Sequence, residues 1–267
     1  MAEATNMRIG PVELAVQIEG EGPNIVFVHG YTTSSRFWRS QIEEFSTSYR
    51  VVAFDLRGHG ASSKSTDVPY TIETFARDLV GLLHELAIEK AILVGLSMGG
   101  PVVMKATVEH PELVRALVLA DTASYGFGGA VNASTVVAQI EEIGVEAASL
   151  ELLEHSFDPA TDEATVEWAR KEVRKVPFHV ARDAVLSLGD FDARDRLAEI
   201  TQPTLVVAGA KDKITPVSQS EDLHRQIAGS RLALIPGSNH FPMVEQPTVF
   251  NAVLREFLES LGDGTAP

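Results

Sequence analysis

The pentapeptide Gly95-Leu96-Ser97-Met98-Gly99 follows directly on the apolar run Ala91-Ile92-Leu93-Val94. A buried strand that closes in Gly-x-Ser-x-Gly and opens into a helix is the setting in which a serine becomes a nucleophile. Reversing the chain within a few residues forces the serine into a strained backbone conformation and lifts its hydroxyl clear of the sheet. Bulky neighbours two positions away would collide in so tight a turn, and glycine at 95 and 99 removes the Cβ atoms that would block it.

A serine hydroxyl needs a base to take its proton and a third group to hold that base in one tautomer. In a strand–turn–helix site both follow in the order Ser, Asp or Glu, His. The β-branched run Thr204-Leu205-Val206-Val207-Ala208 leads through Gly209 to Asp212. Asp212 is thereby expected just past the carboxyl end of a strand, where functional side chains collect in open α/β sheets. A last strand, Arg231-Leu232-Ala233-Leu234-Ile235, runs into Pro236-Gly237-Ser238-Asn239-His240-Phe241-Pro242, which places His240 on a loop near Ser97. Asp121, also just past a strand, is the alternative acid; otherwise it caps or braces the loop that follows it.

The oxyanion formed by attack on a carbonyl needs two pre-aimed N–H donors. The strand Asn24-Ile25-Val26-Phe27-Val28 ends in His29-Gly30-Tyr31, and the backbone N–H groups of Tyr31 and Met98 are the natural pair. His29, His59, Asp55 and Arg57 read as structural groups that bond loop backbone or pair ions. Tyr31, Phe127, Phe241 and Met243 are candidates to line the substrate pocket.

Short apolar runs alternate with helical patterns, which signals a mainly parallel sheet with crossover helices. Residues 11–19 alternate and read as an antiparallel edge hairpin. Ile72, Phe75, Leu79, Leu82, Leu83 and Leu86 recur at helical spacing behind Thr71, a plausible N-cap. From about Ser124 to Glu199 no strand-like run occurs. Gly126, Gly128 and Gly129 lead into helical stretches near 131–143, 146–157, 162–176 and 179–188. This pattern implies a helical cap (124–199) inserted into a core formed by residues 1–123 and 200–267. Such a cap roofs the site and excludes water.

Taken together, His29-Gly30, the segment Asp55-Leu56-Arg57-Gly58-His59-Gly60-Ala61-Ser62, Gly95-Leu96-Ser97-Met98-Gly99-Gly100, the Asp212 loop and Gly237-Ser238-Asn239-His240 resemble the α/β-hydrolase superfamily over nearly the whole chain. The resemblance implies a mostly parallel eight-stranded sheet flanked by helices, and a hydrolase that needs no cofactor. Ala120-Asp121-Thr122-Ala123 and the run from Phe191 to Leu197 make the chain similar to small 3-oxoadipate enol-lactonase-like esterases and lactonases. The expected chemistry is acyl transfer from a small ester or lactone by Ser97, His240 and Asp212. Other chemistries of the same arrangement are hydrolysis of C–C bonds in ring-fission products, cofactor-free perhydrolysis, and ligand binding without turnover.

Several classes are disfavoured by composition. A net charge of −15 argues against nucleic acid, whose binding rests on neutralising phosphate. Without cysteine there is no disulfide, thiolate metal site or cysteine nucleophile. The scattered histidines lack metal-ligand spacing, so no metal centre is expected. Residues 1–10 carry no apolar signal core, and no stretch approaches the roughly 20 apolar residues of a membrane span. A cytoplasmic monomer or homodimer acting on a small molecule is the expectation.

Overall fold

Alternation along each strand decides which side of the sheet every side chain joins. In the central strand Ile25 and Phe27 enter one apolar layer, Val26 and Val28 the other, and all four are fully buried. Near-continuous apolar strands of this kind are stable only with both faces covered. The computed structural model describes residues 4–129, 132–173 and 176–262. The expected helix start at Val131 and the pair Arg174-Lys175 lie outside the described residues.

Strands β1 (Thr5–Ile9) and β2 (Val12–Glu19) form the antiparallel hairpin expected at the amino terminus. β3 (Asn24–Val28), α1 (Arg39–Phe45), β4 (Arg50–Phe54), α2 (Ile72–Glu85), β5 (Ala91–Leu96), α3 (Gly99–Glu109) and β6 (Val114–Ala120) follow. The chain then leaves the sheet for α4 (Ala133–Ile143), α5 (Val145–Ser156), α6 (Glu163–Glu172) and α7 (Phe178–Asp190). It returns through β7 (Thr204–Gly209), α8 (Val217–Gln226), β8 (Arg231–Ile235), α9 (Pro242–Glu245) and α10 (Pro247–Ser260). The eight strands lie in the order β1-β2-β4-β3-β5-β6-β7-β8 and are parallel from β4 to β8.

Helices α2 and α3 cover one face of the sheet, and α1 and α10 the other. On α2, Ile72, Phe75, Leu79, Leu82 and Leu83 are buried. Each such side chain contributes roughly 1.5–3 kcal/mol. Thr71 caps this helix as its sequence suggests: its hydroxyl accepts from Thr74 N–H, and Thr74 reciprocates at the Thr71 N–H. Just after β4, the Arg57 guanidinium donates a buried pair of hydrogen bonds to Asp78 of α2, at 2.5 Å to each oxygen, and so pins that helix to the loop.

Register places the functional loops. Val28 pairs with Gly95, Leu96 with Ala120, Ala120 with Val207, and Gly209 with Ile235. Hence the carboxyl ends of β3, β5, β6, β7 and β8 meet along one rim, above which the four inserted helices sit. The two ends of the insertion are tied by Gly126 N–H to Phe191 C=O (2.8 Å) and Ala193 N–H to Ser124 C=O (2.8 Å). No described helix is long and apolar enough to cross a membrane.

Candidate active site

Ser97 sits one residue beyond β5 with φ of +51°, the strained left-handed conformation expected of so sharp a reversal. The turn is possible because a Cβ at Gly99 would lie 2.5 Å from the Val28 carbonyl oxygen, and one at Gly95 2.4 Å from the Gly99 oxygen. Ser97 N–H donates to the Ala120 carbonyl (2.9 Å), and its own carbonyl accepts from Gly100 N–H and the Thr122 hydroxyl, both at 2.8 Å. The backbone is held while the half-buried side chain faces a cavity of about 380 Å³.

His240, on the loop after β8, lines the same cavity. Its Nδ1 lies 2.9 Å from Asp212 Oδ2, with both residues buried. Asp212 Oδ1 accepts from the N–H groups of Ile214 (2.8 Å) and Thr215 (3.0 Å). Burial pushes the Asp212 carboxyl up, but the His240 imidazole, its hydrogen bond and the Thr215 N–H together hold it below the ordinary carboxylate range. Asp212 is therefore the ionised partner, and its bond to Nδ1 leaves Nε2 free to act as a base. Among the described residues no hydrogen bond joins Ser97 Oγ to His240; the two meet only across the cavity. Such bonds are often long before substrate is bound, and a serine side chain turns between staggered rotamers.

Tyr31 and Met98, the residues expected to supply oxyanion donors, line the same cavity. A methyl group at Gly30 would touch the Ser97 Cβ at 3.2 Å, which shows how closely the loop after β3 approaches the serine. Among the described residues neither the Tyr31 nor the Met98 N–H donates to a protein acceptor. Of the pocket candidates, Tyr31, Phe127 and Phe241 line the cavity. Met243 does not: it is fully buried in the apolar layer beneath, and its carbonyl accepts from Gln41. Its place in the first turn of α9 turns it toward the core.

Asp121 lies beside the Asp212–His240 pair, with φ of +44°. Its Oδ1 accepts from Gly209 N–H at 2.7 Å, while Oδ2 is buried with no partner. The Asp121 and Asp212 carboxyls and the His240 imidazole lie within 4.8 Å of one another. Three of the four carboxylate oxygens in this trio already accept hydrogen bonds from the protein. Burial and the neighbouring Asp212 charge push Asp121 well above the ordinary carboxylate range. Two carboxylates this close and this buried resist ionising together, and of the two Asp121 is the one whose proton is held more tightly.

His29 and His59 are structural, as their loops suggest. His29 Nε2 accepts from Leu56 N–H at 2.9 Å, so its Nδ1 must donate to the Gly30 carbonyl at 2.8 Å, a pattern only neutral imidazole allows. Burial lowers the pKa of both rings, that of His59 to about 3, and the two rings are 5.2 Å apart. In the unfolded chain a histidine takes up its proton near about 6.5. Their contribution to stability is thus intact above that pH and lost as pH falls, up to about 1.4 kcal/mol per pH unit for each ring. The melting temperature should fall steeply from pH 6.5 to 4.5, and the His59→Asn variant should show a shallower fall. Parallel curves for the two proteins would refute this account.

Two residues matter here that the sequence did not single out. Glu245 of α9 accepts from the N–H groups of Asn239 (2.9 Å) and Phe241 (3.2 Å), on either side of His240, and from Asp158 N–H (2.7 Å). Asn239 accepts from Lys213 N–H (2.9 Å) and donates to the carbonyls of His155 (2.8 Å) and Phe157 (3.2 Å). Together with the bond from His240 N–H to Ser156 C=O (2.9 Å), they clamp the histidine loop to the end of α5. An acidic residue in the first turn after the histidine loop was the available signal.

Comparison with known proteins agrees with this architecture. Residues 23–247 match the alpha/beta hydrolase fold family. The 3-oxoadipate enol-lactonase 2 of Acinetobacter baylyi is 30% identical, with 90% of this chain and 91% of that protein covered. The structure of a thermophilic esterase from Thermogutta terrifontis, solved with malate bound, superposes with a TM-score of 0.86 at 28% identity, covering 97% of this chain and 98% of the esterase. The enol-lactonase of Burkholderia xenovorans LB400 superposes with a TM-score of 0.89 at 25% identity, covering 96% of this chain and all of its own.

Proposed function

The chain belongs to the alpha/beta hydrolase fold family, and from that premise we propose that it cleaves a small carboxylic ester or lactone through an acyl-enzyme formed on Ser97. The observation that carries this reading is the buried 2.9 Å bond from Asp212 to His240, beside a cavity that a strained serine shares. His240 Nε2 takes the Ser97 proton as Oγ attacks the carbonyl carbon. Asp212 accepts from Nδ1–H, fixing the tautomer and stabilising the imidazolium without itself being protonated.

The negative oxygen of the tetrahedral intermediate lies between the Tyr31 and Met98 N–H groups, each worth about 3 kcal/mol to the transition state. His240 then returns its proton to the departing alkoxide, which leaves with the alcohol or, in a lactone, stays tethered to the acyl part. A water deprotonated by the same imidazole attacks the acyl-enzyme, and Ser97 is restored as the acid departs. Residues 124–199 act as the cap over these steps, excluding bulk water from the developing charge. Support for an ester or lactone as substrate comes from the relatives, which include an esterase and enol-lactonases.

The test is covalent. A p-nitrophenyl alkylphosphonate should release one equivalent of p-nitrophenol per chain, end ester hydrolysis, and leave its phosphonyl group on the peptide that contains Ser97. Ester hydrolysis that survives full labelling, or a label on another residue, would sink the proposal.

A further inference from the structure

The wall of the active-site cavity constrains what the acyl group can be. Away from Ser97 and His240 it is built largely from the inserted helices: the aliphatic Val136 and Ile140 of α4, Leu152 and Leu153 of α5, and Val185 and Leu188 of α7, with the uncharged polar Gln139 and Ser149 among them. Among the described residues no arginine lines it, and besides His240 its sole potential cation is Lys213. That lysine is exposed, on the loop after β7. This largely apolar, uncharged compartment therefore offers no countercharge to an anion held deep within it.

Which part of a substrate occupies this compartment follows from the order of events. In an open-chain ester the alcohol leaves after the first step, whereas the acyl group stays bonded to Ser97 through both. The enclosed compartment suits the group that remains, and the exposed side near Lys213 suits the one that leaves.

Resting on the acyl-enzyme reading above, we infer that the substrate is an uncharged ester whose acyl part is a hydrocarbon chain longer than acetyl. A dicarboxylate-derived acyl group with a free terminal carboxylate is selected against. Desolvating an unpaired carboxylate is costly, and the chain's net charge of −15 adds long-range repulsion.

The experiment compares kcat/KM for p-nitrophenyl acetate, butanoate and hexanoate with that for mono-p-nitrophenyl adipate, whose six-carbon chain ends in a carboxylate. Each methylene that becomes buried should raise the value about fourfold. The adipate half-ester should fall at least about 100-fold below hexanoate. Leu152→Arg, on the half-buried wall of α5, should lower hexanoate turnover and narrow or reverse that ratio. A half-ester used as well as hexanoate, or no gain from acetate to hexanoate, would overturn this inference and leave the acyl-enzyme intact. Failure to turn over any ester, acetate included, would overturn both.

Discussion

Ser97→Ala should remove turnover of a small chromogenic ester, with a loss on the order of 10⁴–10⁶ in kcat. Alanine keeps the Cβ already present at φ of +51° and removes only the hydroxyl, so the backbone bonds to Ala120, Gly100 and Thr122 remain. The melting temperature should change little, which separates lost chemistry from lost fold. Residual activity would come from binding and from the Tyr31 and Met98 N–H groups acting on a water attack. The pair of measurements is kcat on p-nitrophenyl butanoate and the melting curve. Activity within tenfold of the parent would mean that another group attacks the carbonyl.

What the sequence made legible and what it hid divide along the range of the forces involved. The turn at Ser97 was readable because its constraints are local: an apolar run, two glycines that allow close approach, and a helix start with Pro101 in its first turn. The α2 cap was readable for the same reason. The clamp formed by Asn239 and Glu245 was not, since Asn239 bonds residues more than eighty positions away, and only tertiary packing sets such pairs. Periodicity shows that a helix has an apolar face but not what the face meets. Along α4 only Ile140 is buried, although the helix carries several other apolar residues. Some of these, such as Val136, face the cavity rather than the core. The same limit put Met243 among the pocket candidates when it belongs to the core. The sites of α1 and α8 also went unread, both being short helices whose apolar positions are few.

Asp212→Asn should cost about 10⁴ in kcat, while Asp121→Asn should stay within about tenfold of the parent. The difference follows from their protonation. Asp212 stays ionised because His240 and two backbone N–H groups stabilise its charge. An asparagine at 212 cannot stabilise the imidazolium and can present its NH₂ to Nδ1, favouring the wrong tautomer. Burial and its charged neighbour favour the neutral form of Asp121. An asparagine there keeps an oxygen for the Gly209 N–H, now at 2.7 Å, and is neutral and of nearly the same shape as the carboxyl it replaces. Asp121→Leu should fare worse than Asp121→Asn, because it leaves that N–H without an acceptor in a buried site. Should Asp121→Asn instead lose more activity than Asp212→Asn, the orienting carboxylate would be the one that follows β6, and the hydrogen bond seen at 212 would be a support rather than the working partner of the imidazole.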